Sequence, residues 1–448
     1  MTDADVRPMP ASTWERAALA MGSDAVVHAS VYGDAAFTAE QRRIFARVWN
    51  FCCHESELAD AGRFVTLSVA GSPILVTRDR DGTLRGFFNT CRHRGSRVVG
   101  EACGQTRSFQ CPYHHWTYGL DGSLRSVPGE EAYECRPFDK RDFGLVPVRV
   151  DAVGGLVFCC LDPDGPSLGD FLGERTAALI EGVLGAGRFE VAEQRVLPHG
   201  VNWKLWPENW RDGYHVPFVH QRSLGPISPP GEYHLLGNGH AQQCLRATQA
   251  YLSDETWRQL MSDPLPGVAP DEAWNLTLFP DTLLFLRGNV FFIERQEKVG
   301  PRHTVLQCRV LGLAGDTDEQ RRNRRLAWQI WYEGPISTED HPVIDEQQIG
   351  LGTVGPQCSL IARGPAASTG LRGDDNRLRT FWDAWRQWMG TTDNAWAVSE
   401  SRLVTWPAVP SCGQRSGRSS PTRQPRGAAW SGRAARRSLA GHAAPPVE

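Results

Sequence analysis

The amino-acid sequence predicts an α+β protein made of two unlike parts: a small all-β domain, then a larger domain whose antiparallel sheet is flanked by helices. Two patterns predict this. From Gly62 onward, short runs of alternating apolar and polar residues are punctuated by Ala70-Gly71 and Asp81-Gly82, as in antiparallel strands joined by tight turns. Between 230 and 335, strand-like runs mix with helical ones without the strand-helix-strand rhythm of a parallel sheet, so the second sheet should be antiparallel too.

Taken in order, residues 1–40 read as an irregular N-terminal arm with a helix. Ser12 precedes one helical run, and Thr38 caps a second amphipathic run that reaches Trp49. Strands are expected at Arg63–Val69, Pro73–Arg78 and Leu84–Asn89, a hairpin at Thr117–Leu124, and a strand-rich run over Val148–Leu161. Pro166 then marks a boundary, so the first domain spans 41–165 and the second 166–400. The second domain opens with a helical stretch from Leu168 to about Gly187. Within it, Thr282–Leu286 and Thr304–Leu311 read as strands, and Asp318 to about Trp331 as a helix. Asn376–Met389 is an amphipathic helix whose Phe381, Trp385 and Trp388 form a core-facing stripe. Residues 407–448, mostly Pro, Ser, Gly, Ala and Arg, are expected to be a disordered tail and an atypical terminus of the reading frame.

Composition narrows the functional classes. The length of 448 residues suits about two or three domains. A net charge of -3 gives no electrostatic reason to expect nucleic acid or an anionic membrane as partner. No apolar run reaches the ~18 residues of a spanning helix, and the early acids Asp3 and Asp5 leave no room for the apolar core of a secretory signal, so a cytoplasmic location is expected. Twelve scattered cysteines, among them Cys52-Cys53 and Cys159-Cys160, do not form a disulfide framework, and ten are expected to be reduced core thiols. Gly237-Asn238-Gly239 follows no clear strand and does not fit a dinucleotide loop, and no phosphate-cradling Gly-Lys-Ser/Thr motif occurs.

Two stretches carry chemistry. Cys91 and His93, then Cys111 and His114, form two short ligand-bearing loops with seventeen residues between the pairs. Each offers one thiolate and one imidazole, the ligand set of a Rieske [2Fe-2S] cluster whose one iron takes both sulfurs and the other both nitrogens. A structural zinc site is the alternative, although zinc more often pairs Cys with Cys and His with His. Further on, Asp212 and His215 stand three apart on one helical face. Pro217 should break the helix and return His220 to His215. Two imidazoles leave one carboxylate to find for a facial triad that holds non-haem Fe(II). Asp340 is the candidate; a helix starting near Thr338 would otherwise put it in a first turn, where the dipole favours any acid.

Cys91, His93, Cys111 and His114, followed by Asn202-Trp203-Lys204, Glu208-Asn209, Asp212, His215 and His220, resemble the α (large, catalytic) subunit of Rieske non-haem iron aromatic-ring-hydroxylating oxygenases. The pattern of Asp340, Asp345, Gln348, Gly350 and Leu351 is similar to that family's carboxylate-ligand segment. Ser96 and Tyr113 stand where high-potential Rieske proteins of respiratory chains carry disulfide-forming cysteines, and His115 stands where this family usually has Gly. The resemblance implies a Rieske domain beside a helix-grip-like catalytic domain. It implies electrons from an NAD(P)H-dependent reductase, with or without a ferredoxin, relayed by the cluster to Fe(II) for hydroxylation of an aromatic substrate with O2. It also implies a homotrimer, or an α3β3 assembly with a small β subunit, in which Asp212 bonds His215 and a Rieske histidine of the adjacent chain, with Asn209 and Glu208 in supporting roles. The motif wording is most similar to the branch acting on benzoate-, salicylate- or anthranilate-type acids. A monooxygenase or demethylase acting on quaternary amines, and an electron-transfer Rieske protein whose second domain only docks partners, are the alternatives.

Overall fold

Among the described residues, two seven-stranded antiparallel sheets organise the chain. The computed structural model describes residues 25–133, 138–223, 231–246, 263–267, 269, 271–352, 358–363 and 374–390, with Glu255 and Arg258. The expected arm helix at Ser12 and the tail at 407–448 lie outside these.

The first sheet runs, in spatial order, Asn50–His54, Leu156–Cys160, Pro147–Val153, Leu84–Phe88, Ser72–Arg78, Arg63–Val69 and Cys103–Gln105. Its hairpins fall where the turn residues predicted. Ala70 and Gly71 adopt φ of +51° and +72°, so both central residues of that turn are left-handed, which matches the twist of the strands it joins. A small sheet of Phe109–Gln110, Thr117–Tyr118 and Leu124–Ser126 adjoins it. The second large sheet runs Phe189–His199, His303–Leu313, Val290–Gly300, Thr282–Arg287, Glu272–Leu278, His240–Arg246 and Gly231–Gly237. Hydrogen bonds tie the two sheets: Arg309 Nη2 donates to Cys52 O at 3.1 Å and Arg295 Nη2 to Ser68 O at 3.2 Å, while Arg309 Nε also bonds Glu57 Oε1, just after the first strand, at 2.7 Å.

Eight α-helices are described: α1 (Asp34–Glu40), α2 (Leu168–Leu172), α3 (Glu174–Leu184), α4 (Leu205–Arg211), α5 (Val216–Val219), α6 (Asp318–Trp328), α7 (Pro335–Leu351) and α8 (Asn376–Met389). Several boundaries differ from expectation. Helix α1 starts at Asp34, because the Thr38 hydroxyl bonds back to the Asp34 carbonyl at 2.9 Å and sits inside the helix instead of capping it. The stretch after Leu168 is two helices parted at Gly173, whose φ of +75° no right-handed helix accommodates. Helix α6 passes into a π-turn at Gln329–Glu333. Gly237-Asn238-Gly239 does follow a strand, but it turns directly into the antiparallel strand His240–Arg246, so no helix N-terminus stands ready for a dinucleotide. Among the thiols, Cys52, Cys53, Cys159, Cys160 and Cys308 are free and buried as expected and Cys358 is buried, whereas Cys103 is exposed and Cys244 half-buried.

Alternation decides what each face of the second sheet covers. Trp274, Leu276, Leu284, Leu286, Phe291 and Ile293 point into the main core with α8 and α4, while Leu283, Phe285, Phe292, Cys308 and Val310 face α6 and the π-turn. A buried ionic knot locks α4 into the main core. Lys204 Nζ donates to Glu40 Oε1 at 2.7 Å, Trp203 Nε1 to Glu40 Oε2 at 2.7 Å and Trp385 Nε1 to Glu40 Oε1 at 2.8 Å. Glu40 and Lys204 are both 0% exposed.

Candidate metal centres

The two Cys-His loops fold alike. In the first, Cys91 N–H donates to Ser96 O at 2.8 Å and Gly95 N–H to Cys91 O at 2.9 Å; in the second, Cys111 N–H donates to Trp116 O at 2.9 Å and His115 N–H to Cys111 O at 3.0 Å. Gly95 and His115 occupy the same place in each loop and both are left-handed, with φ of +76° and +59°. The unusual His115 is therefore accommodated in a backbone conformation that favours glycine, at a strain of roughly 1–2 kcal/mol. Asn89 clamps the base of the first loop, accepting from the Val98 and Val99 amides at 3.1 and 2.9 Å and donating to Val99 O at 2.8 Å.

These loops bring the four predicted ligands together. Cys91 and Cys111 are buried, and the His93 and His114 rings meet edge to face at 4.6 Å. Trp116 stacks flat on His93 at 5.0 Å. His93 Nδ1 is buried with no hydrogen-bond partner, as expected of a nitrogen shaped to meet a metal. The Tyr118 hydroxyl accepts from Arg92 N–H at 3.0 Å and lies 3.2 Å from Cys91 Sγ, to which it can donate. Burial pushes the Cys91 thiol up and Tyr118 opposes it. A sulfur that must be a thiolate to bind iron thus already has a donor aimed at it.

The second centre is built where α4 ends. Asp212 is extended, so it and His215 do not share a helical face; the Asp212 carboxylate instead caps the next turn, accepting from Tyr214 N–H at 2.6 Å and His215 N–H at 3.3 Å. Pro217 does not break a helix either. It sits in the first turn of α5, a four-residue helix with His215 at its N-cap and His220 at its C-cap, and that brevity is what returns His220. Asp340 lies in the second turn of α7, because that helix begins at Pro335 instead of near Thr338. First-turn dipole placement therefore does not account for this acid.

His215, His220 and Asp340 each offer a ligand atom within 4.8 Å of the others. Asp340 Oδ1 lies 3.6 Å from His215 Nε2 and 3.2 Å from His220 Nε2. Both outer nitrogens are held by carboxylates: His215 Nδ1 is 3.1 Å from Asp212 Oδ2, and His220 Nδ1 is 3.0 Å from Glu339 Oε2. Asn209 Nδ2 donates to Asp340 Oδ1 at 3.1 Å, and Ser223 Oγ to Glu339 Oε2 at 2.6 Å. Burial alone would lower the His220 pKa, but bonds and charge from Asp340 and Glu339 raise it. For Asp212, burial raises the carboxyl and the bonds from His215 and Tyr214 outweigh it, leaving it lowered. Two imidazoles and a carboxylate converging with their outer nitrogens anchored fit a facial divalent-iron site.

Glu208 does something else. Its carboxylate accepts from Tyr32 at 2.6 Å, Trp382 at 3.0 Å and Gln347 at 3.3 Å, and burial pushes it up to about 7. It pins α4 to α7, α8 and the N-terminal segment. Glu339, Ser223, Tyr118 and Asn89 were missed by sequence reading. Only Glu339 left a signal, as a second acid adjoining Asp340.

An iron-sulfur β-domain joined to an α+β domain with a mononuclear-iron triad is the layout of an oxygenase that feeds electrons from one centre to the other. A Rieske [2Fe-2S] domain matches residues 48–139, and the catalytic domain of the ring hydroxylating alpha subunit matches residues 186–391. The chain is similar to the 2-aminobenzenesulfonate 2,3-dioxygenase subunit alpha of Alcaligenes sp, 34% identical over 80% of this chain and 92% of that one. It is 33% identical to the terephthalate 1,2-dioxygenase terminal oxygenase component subunit alpha 2 of Comamonas sp, over 78% of this chain and 92% of the relative. Its fold matches the naphthalene 1,2-dioxygenase of Rhodococcus sp. bound to indole, with a TM-score of 0.72 and 24% identity over 84% of this chain and 98% of that one. The chain belongs to the Rieske ring-hydroxylating oxygenase α subunits, which carry a [2Fe-2S] cluster and a mononuclear Fe(II).

Proposed function

We propose that this α subunit hydroxylates a single-ring aromatic acid of the benzoate or salicylate type, working in the cytoplasm where NAD(P)H is generated. Electrons come from an NAD(P)H-dependent reductase, with or without a ferredoxin. The convergence of His215, His220 and Asp340 carries the reading. Relatives named for 2-aminobenzenesulfonate, terephthalate and anthranilate support the substrate class. Cys91, His93, Cys111 and His114 hold the cluster in a domain spanning 41–165, and the iron triad lies in a domain spanning 166–400.

When bound, the cluster supplies single electrons and the ferrous ion supplies the binding and activation of O2. The protein's own part is to hold geometry. His215 Nδ1–H donates to Asp212 and His220 Nδ1–H to Glu339, so each ring presents Nε2 with its lone pair inward. Asn209 holds the Asp340 carboxylate by the oxygen nearest both imidazoles. In a trimer of this chain, alone or with a β subunit, the Asp212 carboxylate also takes a bond from a cluster histidine of the neighbour, completing a short route between centres.

Metal analysis and oxygen uptake test this. Purified holoprotein should be brown, give the paramagnetic signal of a reduced Rieske cluster, and contain one iron beyond the cluster. His215→Ala should lose that iron alone, and a panel of aromatic acids with a surrogate reductase should show substrate-dependent O2 uptake. Iron confined to the cluster in the unaltered protein, with His215→Ala unchanged in iron content, would mean an electron-transfer protein instead.

A further inference from the structure

Three polar side chains stand on the face of the second sheet that looks toward α6 and the π-turn, amid aromatic and aliphatic neighbours. In the first row across the sheet, Asn275 pairs with Phe285, Phe285 with Phe292 and Phe292 with Val310; in the next, Leu283 pairs with Glu294 and Glu294 with Cys308. Gln296, two residues on from Glu294, faces the same way. Glu294 is 2% exposed and Gln296 0%. Tyr332, from the π-turn, donates to Glu294 Oε2. Glu294 Oε1, both amide atoms of Gln296, Asn275 Oδ1 and the Trp328 indole nitrogen remain buried without a partner.

So many orphans on one face are costly unless something completes them, at about 1–3 kcal/mol for each buried group left unmet. Their surroundings are aromatic: Phe285, Phe292, Trp328 and Leu283 belong to one buried cluster, and Trp210 of α4 packs against it. That tryptophan adjoins Asn209, and Trp206 one turn earlier meets His341, the neighbour of Asp340, edge to face at 5.0 Å. The cluster and the iron triad therefore both adjoin α4. Of the nearby basic residues, Arg295 and Arg309 alternate to the opposite face, where they bond Ser68 and Glu57, while Arg195 and Lys298, on this face by alternation, are already paired with Glu193 and Glu333 and with Asp281. Burial and the Tyr332 hydroxyl alone act on the Glu294 carboxyl. Such a site suits a hydrogen-bond donor on the ligand better than another anion.

We propose that Glu294, seconded by Gln296, is the specificity anchor for an amino substituent on the substrate ring, taking its N–H on Glu294 Oε1 while the ring lies among Phe285, Phe292 and Trp328. The inference rests on the aromatic-acid reading above and sharpens it. It predicts that the protein prefers a ring with an amino group over the same ring without one.

Benzoate and 2-aminobenzoate are the probes, measured on the reconstituted holoenzyme by equilibrium binding and by separate kcat and KM. The unaltered protein should favour 2-aminobenzoate. Glu294→Leu should cut that preference about 2- to 10-fold through binding and KM, the range of one hydrogen bond to a neutral partner, with iron content retained. Glu294→Gln, which keeps an acceptor oxygen, should retain part of the preference, and Gln296→Leu should lose part of it. If Glu294→Leu does not fold, the last two variants decide. A ratio of the two affinities that no variant moves means the orphans are met by ordered water only, and overturns the proposal while leaving the oxygenase reading intact. Binding of neither acid by the unaltered protein overturns both.

Discussion

Removing the carboxylate behind His220 tests how the iron site is held. Glu339 Oε2 lies 3.0 Å from His220 Nδ1 and takes a second bond from Ser223 Oγ at 2.6 Å, so it both aims the ring and fixes which nitrogen carries the proton. Glu339→Ala frees the imidazole to rotate and to protonate on either nitrogen. Loss of such an outer partner typically costs 10- to 100-fold in metal affinity, or about 1.4–2.7 kcal/mol. Competition with a chelator of known affinity, followed by mononuclear iron content, reads this directly, while the cluster's visible absorbance serves as an internal control. Glu339→Gln, which can still accept from Nδ1–H, should fall between the two. An iron affinity within twofold of the unaltered protein in Glu339→Ala would refute the idea that this bond orients the ligand.

Asp212→Ala should leave both metal centres largely loaded yet abolish product formation, as measured by iron content alongside substrate turnover; normal turnover would remove its bridging role. Lys204→Met strands the Glu40 carboxylate in the core beside two indoles and should destabilise the fold by about 3–5 kcal/mol in denaturant titration. Adding Glu40→Gln to it should recover much of that loss. Burial pushes Glu294 up to about 8 from an ordinary 4.5, so the folded chain holds this proton more tightly than the unfolded one. Its contribution to stability is then complete below pH ~4.5 and is lost as pH rises to about 8. Glu294→Gln should accordingly gain on the unaltered protein across that window, by about 3–5 kcal/mol at the upper end, and equal pH slopes for the two in urea melts would count against it.

Much of this was readable from residue order because both centres are assembled from short-range spacing. Cys91 to His93, Cys111 to His114, and His215 to His220 each fall within a single loop or turn, so local chain geometry nearly determines their approach. The Asn376–Met389 helix and the hairpin strands were legible for the same reason: period and turn chemistry act over a few residues. What escaped turns partly on a choice between two local bonding patterns and partly on partners far away in sequence. Whether Thr38 caps or continues a helix turns on one back-bond, and whether Asp340 lies in a first or second turn turns on where Pro335 lets α7 begin. Glu208, read as a helper near the iron, is instead drawn into the core by Tyr32 and Trp382, 176 and 174 positions distant. The left-handed backbone at His115 is hinted at by the family's usual Gly there and by Gly95 at the same place in the first loop, but the histidine itself carries no such signal.

Glu40 sets a schedule for biosynthesis. Its oxygens take donors from Lys204, 164 residues downstream, and from Trp385, 345 residues downstream. The helix that leads into His215 is therefore not fully anchored until almost the entire described chain has left the ribosome, whereas both cysteine-histidine loops are translated within the first third. Cluster insertion can thus precede iron loading, and a nascent chain stalled short of Trp385 would emerge coloured but unable to finish its oxygen-activating half.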